Sequence, residues 1–163
     1  MGLARLGSFL RRHPRVALDT SVFIYALEAN PRYAALADRI FSWLEQPGHA
    51  AVTSTITMTE LLVQPYRDGD GQRVDQFYAL LSTYPNLEWV APDLEIADIA
   101  ARIRAGYRLR TPDALQAATA IRSRAAGLIT NDSLPAPLPP PCRPHGGHLE
   151  RIILFCTMAS TRK

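Results

Sequence analysis

The sequence predicts an α/β protein built on a mostly parallel sheet of four or five short strands. Two observations carry this expectation. Short apolar runs recur along the chain, at residues 16–18, 50–53, 87–90 and 128–130. Between them lie segments whose apolar residues fall at helical spacing. Such alternation favours parallel strands covered by helices on both faces. A length of 163 residues with 47% hydrophobic and 20% charged residues suits one domain with a real core, and excludes disorder throughout.

Each element has its own signal. Residues 16–18 read as a buried strand ending at Asp19. Residues 21–28 look helical until Asn30-Pro31 breaks them. Over 32–46, Tyr33, Leu36, Ile40, Trp43 and Leu44 share a helical face, and Pro47-Gly48 ends it. Residues 50–53 form the second strand. Ser54 or Thr55 can cap the helix that follows, which carries Met58, Leu61 and Leu62 and is expected to end at Pro65. A helix over 72–84 places Val74, Phe77, Leu80 and Leu81 inward, and residues 87–90 form the third strand. Pro92-Asp93 opens a helix with Ile96, Ile99, Ala100, Ile103 and Tyr107 in step. Thr111 as N-cap and Pro112 at the first helical position start another, expected to run to about Ala126 and stop at Gly127. Residues 128–130 form the fourth strand and residues 152–155 a candidate fifth.

The chain divides into 1–132, a Pro/Gly-rich connector over 133–149, and a tail at 150–163 with that last strand. The N-terminal residues lack the apolar run of a signal peptide, and no stretch is apolar enough to cross a membrane, so the cytoplasm is the expected location. Cys142, His145, His148 and Cys156 fit no standard zinc spacing, and two reduced thiols are the better reading.

In a parallel α/β sheet, ligands bind beyond the carboxyl ends of the strands. Asp19 and Asp132 follow two predicted strands, Asp113 lies in the first turn of a helix, and Glu60 lies in the helix after strand two. Taken singly, each has a structural explanation: a helix N-cap, a dipole partner, a solvated face or a turn. Together they can converge at one sheet edge, where carboxylates without a basic partner repel one another. A hard divalent cation such as Mg²⁺ or Mn²⁺ resolves that repulsion, and can activate water and neutralise a scissile phosphate.

The order LDTSVFIYAL, MTELL, RTPDALQAATA and LITND resembles the PIN-domain nucleases, and more narrowly the VapC-type toxins of bacterial toxin–antitoxin pairs. The resemblance spans about residues 16–132. It implies a three-layer α/β/α sandwich, Mg²⁺- or Mn²⁺-dependent hydrolysis of RNA phosphodiester bonds, a small antitoxin that blocks the site, and a homodimer. Carried over by position, it assigns Asp19, Glu60, Asp113 and Asp132 as catalytic metal ligands, with Thr20 and Thr130 as supporting hydroxyls. The chain departs from the family pattern after Asp132, where Ser133-Leu134 runs into prolines and a further acidic ligand is missing or replaced.

The net charge is +3, and Lys163 is the only lysine. Coding bias explains the arginine excess, but guanidinium groups also suit phosphate contact. Arg108 and Arg110, beside the acids, are the candidate substrate contacts. Phe23, Tyr25 and Trp43 belong either to the core or to a dimer face. The competing reading is a module that keeps the fold and binds RNA or regulates without cutting. Other acidic-pocket enzymes fit poorly. A haloacid-dehalogenase-type phosphatase needs an Asp where Ser21 stands, and a receiver domain needs a lysine near its pocket. Phosphate-cradling glycine motifs and Gly-x-Ser-x-Gly elbows are absent.

Overall fold

The computed structural model describes residues 3–28, 31–131 and 153–156, the last as strand backbone. Asp132, the Pro/Gly-rich connector, Cys142, His145, His148 and most of the tail lie outside the described residues. The chain runs α1 (Leu3–Arg12), β1 (Arg15–Leu18), α2 (Thr20–Leu27), α3 (Ala34–Leu44), β2 (Ala50–Ser54), α4 (Thr55–Arg67), α5 (Gly71–Ser82), β3 (Leu87–Val90), α6 (Leu94–Tyr107), α7 (Thr111–Arg122), β4 (Gly127–Thr130) and β5 (Ile153–Cys156). The five strands form one sheet in the order β3-β2-β1-β4-β5, with every neighbouring pair parallel.

Strand alternation builds the three layers. Val16 and Leu18 point to one face, where α1 to α5 supply Leu6, Leu10, Phe23, Ile40, Trp43, Leu61 and Leu81. Ala17 points to the other, against Ile96, Ile99 and Ile103 of α6 and the alanines of α7. Phe23 and Trp43 are therefore core residues, 0% and 5% exposed. Tyr25 is part-buried, tilted against Tyr33 with ring centroids 4.4 Å apart.

Five expectations change. Helix α1 is an additional element: Leu6, Phe9 and Leu10 are buried, and the Trp43 indole N–H donates to the Leu10 carbonyl at 3.0 Å. Pro65 lies inside α4 instead of ending it. It falls in the last turn, is itself buried, and the Asp68 N–H still donates to the Gln64 carbonyl at 3.0 Å. The N-cap of α7 is Arg110, not Thr111, because the Ala114 N–H closes the first turn onto the Arg110 carbonyl at 3.0 Å. Of the inward set on α5, Leu80 is half exposed, while Val74 and Leu81 carry the packing.

Helix α7 also stops short, at Arg122. The Ala125 N–H donates to the Ala120 carbonyl and the Arg124 N–H to the Ile121 carbonyl, both at 3.0 Å. This is a Schellman ending with Arg124 in the left-handed position, φ 53°. A side chain there crowds its own carbonyl, so Arg124→Gly is expected to stabilise the fold by about 1 kcal/mol. Thermal melting checks this, and a lowered midpoint would refute the assignment.

Candidate active site

The strand order reverses direction at β1: the chain passes to β2 on one side, while β4 returns on the other. The crevice beyond the carboxyl ends at such a switch point is where doubly wound sheets bind ligands. Asp19 sits there. Its backbone N–H donates to the Ile129 carbonyl at 3.0 Å, continuing the β1–β4 ladder into the site.

Asp19 is 7% exposed and also serves as the N-cap of α2, so the structural and functional readings of this residue coexist. Its Oδ2 accepts from the Ser21 hydroxyl at 2.8 Å, the Thr130 hydroxyl at 2.9 Å and the Ser21 N–H at 3.4 Å. Among the described residues its Oδ1 accepts no hydrogen bond. Among the described residues, one oxygen is thus pinned and the other is not engaged. Ser21 Oγ also accepts from the Asn131 N–H at 3.1 Å, tying the end of β1 to the end of β4.

Glu60 reaches the same place from α4, where its carboxylate accepts from the Thr20 hydroxyl. Burial pushes the Glu60 carboxyl above its ordinary 4.5, the Thr20 bond pulls it down, and Asp19 and then Asp113 push it up again, with Arg110 opposing them. Glu60 therefore feels acids from two other elements. Asp113 lies in the first turn of α7, its side chain 13% exposed. The Arg110 guanidinium grips it with two bonds, 2.8 Å to Oδ2 and 3.0 Å to Oδ1.

The sequence model of the PIN domain matches residues 16–134, which includes every one of these acids. The chain belongs to the PIN domain family. Helix α1 and strand β5 flank the matched region. No curated protein sequence matches the chain. Three solved structures share the fold. A toxin–antitoxin complex from Klebsiella pneumoniae is 24% identical, with a TM-score of 0.53, over 72% of this chain and 87% of that one. FitAcB from Neisseria gonorrhoeae is 23% identical, with a TM-score of 0.53, over 72% and 88%. VapBC2 from Rickettsia felis, bound to a DNA fragment from its promoter, is 19% identical, with a TM-score of 0.51, over 72% and 88%.

Within this PIN domain, Asp19, Thr20, Glu60, Asp113, Thr130 and Arg110 come together, whereas Asp132 lies outside the described residues. Arg108 does not join them among the described residues: it forms the left-handed C-cap of α6, φ 55°, and is exposed. Among the described residues no three acidic, His or Cys side chains already meet at the spacing that grips one ion. Glu60 leans on Thr20, and Asp113 on Arg110. The donor set still suits a hard cation. It is all oxygen, and it holds three carboxylates against one guanidinium, that of Arg110, which is 73% exposed.

Three residues escaped the sequence reading: Ser21, Thr57 and Gln116. Ser21 is signalled only as the hydroxyl two residues after a capping Asp. Gln116 shares a helix face with Asp113 three residues before it, and is the lone amide in an alanine stripe. It is 2% exposed.

Proposed function

We propose that this PIN domain is a divalent-metal-dependent endoribonuclease and the toxin of a type II toxin–antitoxin pair. What supports the reading is the placement of Asp19 at the end of β1 with its neighbour Thr20 donating to Glu60 of α4, and of Asp113 in the first turn of α7, one turn before Gln116, which donates to the same Thr20. Asp19, Glu60, Asp113 and Asp132 would hold Mg²⁺ or Mn²⁺, which when bound supplies charge neutralisation at the scissile phosphate and a more acidic water. The protein's own contribution is positioning. Ser21 and Thr130 fix Asp19, and Thr20 fixes Glu60, which either supports the metal or helps take a proton. The Arg110 fork matches phosphate oxygens as well as it matches Asp113, so it can exchange one for the other when RNA enters.

An antitoxin is the proposed partner, because similar structures include a toxin–antitoxin complex. A groove of about 810 Å³, lined by Met58, Leu62, Val63, Tyr66, Tyr78 and Trp89, runs along α4, the helix that carries Glu60. A protein seated there would pack against the helix that carries Glu60. A homodimer is the proposed assembly, on the strength of the sequence resemblance. No helix among the described residues is long and apolar enough to cross a membrane.

The test is incubation of the purified protein with total RNA. Cleavage is expected with Mg²⁺ or Mn²⁺ and is expected to stop with EDTA. RNA binding without cleavage under both conditions would favour the non-cutting module instead.

A further inference from the structure

Behind the acids lies a buried polar network of Gln116, Thr57, Thr53 and Thr20. Gln116 Nε2 donates to Thr57 Oγ1 at 2.6 Å and to Thr20 Oγ1 at 3.3 Å. Thr53 and Thr57 hydroxyls are 2.8 Å apart, and the Thr53 hydroxyl donates to the Leu18 carbonyl at 2.9 Å. All four side chains belong to buried residues. A hydroxyl has one proton to give, so the directions can be worked out. Thr53 spends its proton on Leu18, and so it accepts from Thr57. Thr57 has then spent its own, and it accepts from Gln116. Thr20 lies 3.2 Å from Thr57. With Thr57 already supplied at 2.6 Å, the Thr20 proton goes to the charged acceptor, Glu60.

The amide orientation decides this pattern. Gln116 Oε1 accepts from the Ser54 N–H at 3.4 Å. A flipped amide would set two N–H groups against each other there. It would also offer a carbonyl to Thr20 and draw its proton away from Glu60.

We propose that Gln116 is a positioning residue, which fixes the Thr20 hydroxyl as a donor to Glu60 and so holds that carboxylate in the acid cluster for a divalent cation. The cation part rests on the metal-dependent reading above. The positioning part rests on the hydrogen bonds alone. Outer partners that orient a ligand typically change metal affinity about 10–100-fold when lost.

The experiment combines calorimetric Mn²⁺ titration of the metal-free protein with crystal structures of Gln116→Met, which keeps the side-chain length but loses both donors. Thr57→Val and Thr57→Ser serve as a second pair, should Gln116→Met fail to fold. The expected result is a Kd for Mn²⁺ raised about tenfold or more in Gln116→Met and in Thr57→Val. Thr57→Ser should bind as the wild type does, a rescue that loss of packing alone would not give. In the Gln116→Met crystal, Glu60 should leave Thr20. Unchanged affinity with Glu60 still on Thr20 would overturn the proposal. A wild type that binds no Mn²⁺, with Glu60 still released in Gln116→Met, would overturn the metal reading and uphold the positioning.

Discussion

Asp19→Asn is expected to give a folded protein whose metal-dependent RNA cleavage falls by about 10²–10⁴-fold, the range a positioned acid or base commonly contributes. The fold should survive because Asn caps a helix as well as Asp does. Its amide oxygen can still accept from Ser21 and Thr130, as Oδ2 does now. What disappears is the negative charge, together with the oxygen that no described residue engages. Thermal melting and far-ultraviolet circular dichroism should match the wild type. Full cleavage by Asp19→Asn would remove this residue from the chemistry.

Phe23→Ala is expected to cost about 3–5 kcal/mol. Domains of this kind have only about 5–15 kcal/mol of stability, so most of the reserve would go. The ring is 0% exposed, edge-on to Phe41 with centroids 5.8 Å apart, and stacked on Trp89 at 6.3 Å. It also lies one turn after Asp19 on α2, so the loss should loosen the helix that presents Asp19 and Thr20. Urea unfolding checks the cost, and a loss below about 1 kcal/mol would place Phe23 outside a well-packed core.

The strands were legible because each is a short apolar run closed by a polar or turn residue, and the parallel sheet followed from the helices between them. Asp19, Glu60 and Asp113 were legible as carboxylates at strand ends or early helical turns, in an order that resembles the PIN pattern. The rest depends on partners far away in sequence. Helix α1 has Leu3, Leu6 and Leu10 at helical spacing, yet its burial relies on Trp43 from α3. Gln116 looks like a solvated helix residue until Thr57, 59 positions earlier, comes within 2.6 Å of it. Pro65 looks like a stop, and only its place in the last turn of α4 makes it tolerable. Arg110 carried a candidate role toward RNA, but its fork onto Asp113 depends on the helix starting one residue earlier than Thr111-Pro112 suggests.

If these acids form one divalent-cation site, calorimetric titration with Mn²⁺ will register it. Metal-free wild-type protein, Asp19→Asn and Asp113→Asn would be titrated side by side. Saturable binding is expected in the wild type, and its loss or marked weakening in both variants. Equal binding by all three proteins, or none by the wild type, would contradict such a site.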